Sequence, residues 1–269
     1  MGIRQFTRVG FFADTHAGHW SGLTSRAWQN MPNDAAPEKK RFVARFQASC
    51  MDWFESTLAQ WKPFDKAIFA GDLTDGKGIR KAGNELVIPD MDDQVDCATD
   101  IVKLIGAKVN RFVFGTNYHG TTSDGSDVES AIAKAVKAPP PEDFAFFKVR
   151  STTFHVKHHI GGSSREQSKF TALAASRVNI ALEAEKGRYP KADVLIRAHR
   201  HQFSFCGRRD WLGVVLPGLQ GPSSFGGRRM DGGEPDYGFV VIDVYKDGRY
   251  TWHPVLADFP ALAYSAQSI

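Results

Sequence analysis

The sequence contains few cysteines, and their spacing does not suit a disulfide framework or a metal site built from cysteine pairs. The 269 residues include only Cys50, Cys97 and Cys206, which are far apart and odd in number. Two of the three fall in predicted helices, so we expect small buried thiols in a reducing compartment.

Long apolar runs are also absent from the start of the chain. The residues from Met1 to Phe6 form neither a signal peptide nor a membrane span. Phe6 occupies the position where N-myristoylation requires serine or threonine. The sequence therefore predicts a cytoplasmic protein that makes no contact with a membrane.

Charge of neither sign is in large excess. The formal net charge is +4, with 24% charged and 42% hydrophobic residues, which is an ordinary globular composition with enough apolar residues for a large core. This mildly basic balance permits an anionic substrate or nucleic acid but requires neither. No repeat, low-complexity linker or charge run marks a boundary, so we expect one domain over residues 1–269.

Apolar strands and helices alternate along most of the chain, and its last part is rich in β-structure. Helical periodicity over 39–61 places Phe42 and four other apolar residues on roughly one face. A long helix over 165–186 is predicted to carry alanine and leucine on its inner face. This alternation followed by a β-rich tail predicts an α/β sandwich. The strands are predicted at 8–13, 66–70, 111–114, 144–150, 153–158, 193–198, 211–216, 237–245 and 250–255, and the other helices at 92–105 and 127–136.

Five of the predicted strands end in side chains that can bind metal ions. Carboxyl ends of strands in open α/β sheets face one crevice, so loops at that edge can gather residues distant in sequence. A single such histidine is more often a hydrogen-bonded surface or core residue, but five coincidences favour a shared site. The candidates are Asp14 and His16, Asp72, Asn117 and His119, His158 and His159, and His199 and His201.

These residue types indicate which chemistry the site can perform. Carboxylates and neutral imidazoles suit Mn²⁺, Fe or Zn²⁺, and the candidates are too many for one tetrahedral site, which implies two ions. An aspartate whose two oxygens face different ions can bridge them. Such a pair lowers the pKa of a shared water and clamps a phosphoryl group for in-line attack. A histidine outside the ligand shell could protonate the leaving oxygen.

The order of the motifs resembles the calcineurin-like metallophosphoesterase family. The motifs are Asp-x-His, Gly-Asp, Gly-Thr-Asn-Tyr-His-Gly, His-His and Ala-His-Arg-His, and they extend from residue 12 to residue 201. The resemblance implies a four-layer α/β sandwich of two mixed β-sheets flanked by helices. It also implies a dinuclear centre with two divalent ions, for which manganese is the expected metal and iron, zinc or nickel are alternatives.

The resemblance also assigns roles to the candidate ligands, residue by residue. Of the two adjacent histidines His158 and His159, we expect His158 to be the ligand because it directly follows the strand. His119 takes the catalytic proton-donor position. By this assignment, one ion is held by Asp14, His16 and His201, Asp72 bridges, and the second ion is held by His158, His199 and an amide oxygen.

The third motif departs from the family pattern Gly-Asn-His. Here Gly115 is followed by Thr116, with Asn117 and His119 further on, in a Gly-Thr-x-x-His form that is similar to phosphoesterases of phage and prophage genomes. Either Asn117 or Thr116 could therefore reach the second ion, and the role of His119 is open in the same way. If the chain is phage-encoded, the expected cytoplasm is that of the host cell.

Several other polar residues could contact a substrate. Arg200 lies between two proposed ligands and could bind a phosphate oxygen bidentately or face solvent. His19 and Gln220 lie in loops that we place near the site, with loop packing as the alternative for His19. The arginine pairs 208–209 and 228–229 could follow a nucleic-acid backbone or form a solvated face.

Taken together, these residues predict a metal-dependent phosphoester hydrolase whose nucleophile is a hydroxide bridging the two ions. Phosphodiesters, either nucleic acid or nucleotides, are the preferred substrate class because of the mildly basic charge and the phage-like motif. The alternatives are a phosphomonoesterase, a zinc hydrolase of another bond, and a catalytically weak binding scaffold with the same fold. Nearly every ligand position keeps a competent residue, which argues against the scaffold.

Overall fold

The computed structural model describes residues 4–30, 35–77, 83–116, 122–161, 170–222 and 235–258. Within these ranges, ten strands form two five-stranded sheets, and four α-helices pack against them. In chain order the elements are β1 Phe6–Phe12, α1 Glu38–Trp61, β2 Lys66–Phe69, α2 Met91–Ile105, β3 Val109–Phe112, α3 Val128–Ala135, β4 Ala145–Val149, β5 Thr152–Val156, α4 Thr171–Glu185, β6 Val194–Arg197, β7 Ser204–Arg208, β8 Trp211–Val215, β9 Gly238–Tyr245 and β10 Tyr250–Leu256.

Both sheets are mixed. The first has the order β10-β9-β1-β2-β3, in which β1, β2 and β3 are parallel while β9 is antiparallel to both of its neighbours. The second has the order β4-β5-β6-β8-β7, in which β5, β6 and β8 are parallel and the two edge strands are antiparallel. The predicted α/β fold of two mixed sheets flanked by helices is therefore confirmed.

The two sheets pack face to face through a shared apolar layer. Phe11 of β1 lies against Phe154 of β5 with ring centroids 5.3 Å apart, and both side chains are fully buried. Ile68 of β2 and Ile196 of β6 belong to the same cluster. Because the central strands are covered on both faces, they read as apolar runs in the sequence, which is why they were predictable.

The opposite face of the first sheet is covered by α1, α2 and α3. Phe12 is central to this second layer, since its ring centroid lies 5.1–6.4 Å from those of Phe54, Phe64, Phe69 and Phe239. Aromatic contacts of this kind add to the burial of a large apolar area. The layer anchors β1 at the point where the chain enters the first predicted ligand loop.

Helix α4 covers the second sheet with fewer apolar contacts than expected. Its buried residues are Leu173 and Ile180, seven positions apart and therefore on one face. Val178 and Leu182 are 57% and 53% exposed. The predicted inner face of alanine and leucine therefore holds for Leu173, whereas Leu182 lies on the side of the helix that faces solvent. The predicted start at residue 165 lies outside the described residues.

Two further elements differ from expectation. Strand β7 is missing from the prediction because its sequence, Ser-Phe-Cys-Gly-Arg, is not an apolar run and only its first residue is buried. It pairs antiparallel with β8. Phe42 of α1 is 39% exposed, whereas Met51, Phe54 and Leu58 are buried, so the predicted apolar face holds only toward the C-terminal end of the helix. No described helix is long and apolar enough to cross a membrane.

Replacing Phe12 with alanine should lower the free energy of unfolding by about 3–5 kcal/mol, since it leaves a cavity among four aromatic rings. Denaturant titration followed by linear extrapolation measures this loss. The matched control is Phe205→Ala on β7, where the side chain is 49% exposed and the expected loss is below about 1 kcal/mol. Equal losses in the two variants would contradict the central position of Phe12.

Candidate metal centre

The first two predicted ligand loops lie side by side at the carboxyl ends of β1 and β2. Their pairing continues past the strands, because Asp14 N donates to Gly71 O at 3.0 Å and His16 N donates to Asp72 O at 3.2 Å. Parallel strands thereby bring two carboxylates, 58 positions apart in number, to one edge of the first sheet.

The loops after β5 and β6 reach the same edge from the second sheet. Ala198 N donates to His158 O at 2.8 Å, which joins these two loops to each other. His199 N donates to Asp14 Oδ2 at 3.2 Å, which joins them to the first sheet. The carboxyl ends of four strands from two sheets therefore meet at one place.

The backbone at this edge is strained. Asp14, His16, Asp72, His199 and His201 all have left-handed φ values, between 43° and 75°. Such a conformation costs a residue with a Cβ of order 1 kcal/mol and persists only where the surrounding structure imposes it. Strain of this kind clusters at functional sites, and here it coincides with the predicted ligands.

One group of potential ligand atoms belongs to Asp14, His16 and His201. His201 Nε2 lies 3.2 Å from Asp14 Oδ1 and 3.2 Å from His16 Nε2, and His16 Nε2 lies 3.9 Å from Asp14 Oδ1. Asp14 Oδ1 is buried and accepts no hydrogen bond of normal geometry from the described residues. The group thus directs one oxygen and two nitrogens at a common point.

A second group belongs to Asp72, His158 and His199. His158 Nε2 lies 2.9 Å from Asp72 Oδ2 and 3.2 Å from His199 Nδ1, and the remaining side of the triangle measures 3.9 Å. Asp72 and His158 are buried, while the side chain of His199 is 38% exposed. The composition and spacing of this group repeat those of the first.

The spacing in both groups fits a divalent cation. Two ligand atoms that each lie about 2.1 Å from one ion are about 3.0–3.4 Å apart in octahedral or tetrahedral geometry. The separations within the two groups run from 2.9 to 3.9 Å. Carboxylate oxygen and imidazole nitrogen without sulfur suit Mn²⁺, Fe, Zn²⁺ or Ni²⁺.

Hydrogen bonds on the far side of two imidazoles set their tautomers. His16 Nδ1 lies 3.1 Å from Asp75 Oδ1, and His158 Nδ1 lies 2.6 Å from the carbonyl oxygen of Ala70. Each Nδ1 must donate, because an ionised carboxylate and a carbonyl can only accept. In the neutral rings both Nε2 atoms are therefore unprotonated and face other acceptors, which is the arrangement of metal-ligating histidines.

The pKa values at the site follow from the same crowding. Burial by itself lowers the pKa of His158, but the adjacent charge and hydrogen bond of Asp72 raise it to about 9. Burial by itself raises the pKa of Asp14, but the charges of His201 and His158 outweigh it and lower the pKa. Either a proton or a metal cation must lie between these carboxylates and imidazoles, since lone pairs would otherwise face one another.

The third motif positions Asp72 through its glycine and threonine. Thr116 N and Oγ1 donate to Asp72 Oδ1 at 2.6 and 2.9 Å, and Oγ1 also lies 3.0 Å from Asp72 Oδ2. Gly115 permits this approach, because a Cβ there would overlap Asp72 N and Oδ1. Sequence reasoning considered Thr116 only as an alternative ligand and missed its part in holding a carboxylate.

Two other acidic residues near the site were missed by sequence reasoning. Asp75 orients His16, and its only sequence signal is its place three residues after Asp72. Glu129 of α3 is 2% exposed, and its Oε1 accepts a long hydrogen bond of 3.4 Å from Leu73 N. Burial, with the charges of nearby aspartates, raises the pKa of Glu129 to about 8. It is therefore mostly protonated at neutral pH and adds little negative charge near Asp72.

The remaining predicted residues lie in different places. Asn117 and His119 fall outside the described residues. His19 is 3% exposed, and its ring nitrogens contact Ser21 Oγ at 2.9 Å and Glu85 Oε2 at 3.3 Å.

Gln220 is 5% exposed and forms a β-bridge with Gly22. Arg200, which lies between His199 and His201 in the sequence, is half-buried. The ring of His159 lies beside that of His199, with centroids 4.9 Å apart. None of these residues belongs to either group of potential ligands among the described residues.

No protein-family model matches the chain, and no curated protein matches it. Solved structures of similar shape include wild-type Vps29 of Entamoeba histolytica complexed with Zn²⁺, at 13% identity, with 93% of this chain and 99% of that chain covered and a TM-score of 0.45. An archaeal phosphodiesterase has 13% identity, with 93% and 100% of the chains covered and a TM-score of 0.46.

A predicted phosphoesterase of Streptococcus pneumoniae has 10% identity, with 94% and 100% of the chains covered and a TM-score of 0.38. At identities of 10–13% and TM-scores below 0.5, the assignment of function rests on the side chains of this chain itself.

Replacing Asp75 with alanine should weaken divalent-ion binding at the first group about 10- to 100-fold, because His16 loses the partner that fixes its tautomer. Calorimetric titration of the metal-free protein with Mn²⁺ measures the change. The matched control is Asp96→Ala on the exposed side of α2, which should bind as the wild type does. Unchanged affinity in the Asp75 variant would remove its proposed orienting role.

The raised pKa of His158 has a consequence for stability. In the metal-free protein, its stabilising contribution is fully present below the unfolded-state value of about 6.5 and is lost as pH rises through about 9. The stability of wild type relative to His158→Gln should therefore decrease over this range. Denaturant titrations at several pH values test this, with His253→Gln as the control. A difference that does not vary with pH would contradict the imidazolium form.

Proposed function

We propose that the chain is a metal-dependent phosphoester hydrolase and that it acts as one metallophosphoesterase domain over residues 1–269. The observation that carries the proposal is the pair of adjoining Asp/His groups at one edge of two sheets. In both groups an imidazole nitrogen faces a carboxylate oxygen at hydrogen-bond distance. Buried donor sets of this kind bind divalent cations, and two adjacent cations suit phosphoryl chemistry.

The proposed ligands divide between two ions. Asp14, His16 and His201 would hold the first, His158 and His199 would hold the second, and Asp72 would be shared between them. Of the two candidates for the remaining ligand of the second ion, Asn117 is preferred to Thr116. The hydroxyl of Thr116 already donates a hydrogen bond to Asp72. Manganese is the proposed metal, and the sulfur-free donor set is also compatible with iron, zinc or nickel.

The side chains contribute to hydrolysis in distinct ways. When bound, the two ions would supply Lewis acidity that polarises the phosphoryl group and activates water. Arg200 is proposed to bind a phosphate oxygen through its guanidinium. His119 is proposed to donate a proton to the leaving oxygen. Asp75 and Ala70 O keep the ligand histidines in the tautomer whose Nε2 is unprotonated, as cation binding requires.

Phosphodiesters are the proposed substrate class, with nucleic acid or a nucleotide as the source. The formal net charge of +4 supports an anionic substrate. The side chains of His199 and His201 are 38% and 18% exposed, so the groups open to solvent on the side where a large substrate can approach. Buried ligands behind them, Asp14 and Asp72, keep the opposite side closed.

The test is turnover of metal-stripped protein reloaded with Mn²⁺, on a bis-aryl phosphodiester and on an aryl phosphomonoester. Wild type should hydrolyse the diester faster. Asp72→Asn preserves shape but removes the charge, and it should lower kcat at least about a hundredfold, equivalent to about 2.7 kcal/mol of transition-state stabilisation. The matched control is Asp96→Asn, which should retain wild-type turnover.

Three outcomes would change the assignment. Full turnover in Asp72→Asn would overturn the two-ion site. Faster hydrolysis of the monoester would replace the phosphodiesterase with a phosphomonoesterase. No hydrolysis with Mn²⁺, Fe²⁺, Zn²⁺ or Ni²⁺, together with tight binding of a protein partner, would replace the enzyme with a binding scaffold.

A further inference from the structure

A cavity of about 240 Å³ lies between α4 and strands β5 and β6, on the side of the second sheet away from the shared core. Side chains alternate along a strand, so His155, Lys157 and His159 share one direction while Phe154 and His158 take the other. The first set lines the cavity, and the second set faces the core and the metal centre. The cavity is lined by Phe144, His155, Lys157, His159, Ile160, Gly161, Ser176, Asn179, Ile180, Tyr189 and Arg197.

Arg197 is the least expected of these residues, because it is a cation that is only 3% exposed. Its Nη1 donates to Ile196 O at 2.8 Å and to His155 O at 3.2 Å, and its Nη2 donates to His155 Nδ1 at 3.0 Å. All three acceptors are uncharged, and no carboxylate of the described residues pairs with Arg197. A buried charge without a counter-ion is costly, so the position calls for an anion.

His155 supplies a second inward group of defined protonation. Its Nδ1 accepts from Arg197, so the neutral ring carries its proton on Nε2, and that N–H has no acceptor among the described residues. Burial, followed by the charges of Arg197 and Lys157, lowers the pKa of His155 to about 3. The guanidinium of Arg197 stays protonated in proteins and therefore carries a positive charge. One cation and one neutral donor therefore persist side by side.

The rest of the lining continues this character. Lys157 contributes a second cation, and Ser176, Asn179 and Tyr189 contribute uncharged polar groups. None of the described lining residues is acidic. Phe144, whose ring centroid lies 5.5 Å from that of Tyr189, forms an aromatic wall on one side. The cavity thus combines two positive charges with several neutral hydrogen-bonding groups.

We propose that this cavity is a binding site for a dianionic phosphate group, either free phosphate or the terminal phosphate of a monoester. The buried guanidinium of Arg197 and the exposed ammonium of Lys157 together balance the two charges of a phosphate dianion. Guanidinium, ammonium and imidazole N–H donors that line one cavity match the oxygens of phosphate. The site is distinct from the metal centre and holds whether or not that centre is catalytic, although His159 lies between the two.

The test uses the full chain in excess chelator, so that no divalent ion can bind the probe, and inorganic phosphate is titrated by calorimetry. Wild type should bind phosphate saturably. Lys157→Gln should weaken binding about tenfold through loss of one charged donor, and Ser176→Phe should abolish it by filling the cavity. The matched control is Lys148→Gln on β4, an exposed lysine outside the lining, which should bind as wild type does.

The thermal unfolding midpoint of each variant, measured without phosphate, establishes that the variants are folded. Lys157→Gln changes an exposed side chain, so it keeps the test valid if Ser176→Phe does not fold. The absence of saturable binding by wild type, or equal affinity in Lys157→Gln and Lys148→Gln, would overturn the site. Acetate binding as tightly as phosphate would overturn the assignment to a dianion.

Discussion

Two carboxylates, Asp14 and Asp72, are buried close enough that the charge of each opposes ionisation of the other. Positive charge must lie between them for both to remain ionised, whether it comes from protons on the neighbouring imidazoles or from metal cations. The residues around the two carboxylates are arranged so that positive charge can lie between them. Asp75 Oδ1 and Ala70 O accept hydrogen bonds from the Nδ1 atoms of His16 and His158 and so orient the two rings. Glu129 is mostly protonated at neutral pH, so it adds little further negative charge near the site.

The same requirement explains why strain accumulates at this edge. Left-handed backbone conformations at five of the six potential ligands turn their side chains toward common points. The free energy that this costs has to come from elsewhere in the fold, and the two apolar layers around β1 are the available source. Phe11 faces the second sheet and Phe12 faces α1, so the strand that leads into the site is anchored on both faces.

The strand β5 separates two regions of opposite electrostatic character. On one side, His158 faces carboxylates that require a cation. On the other side, His155 and Lys157 join Arg197 in a cavity whose described lining has no acidic residue. The twofold alternation of a β-strand is the reason that neighbouring residues serve opposite chemistry.

The sequence by itself determined the class of fold and the residue types of the potential metal ligands. Apolar runs such as 66–70 identify strands because both faces are buried, and polar residues directly after them identify the site edge. It did not determine the face of α4 that is buried, since alanine and leucine occur all round that helix. Nor could it reveal Asp75, Thr116 or Arg197 in their roles. These depend on contacts between segments up to 59 residues apart, such as His16 with Asp75, and only packing of the two sheets decides which atoms meet.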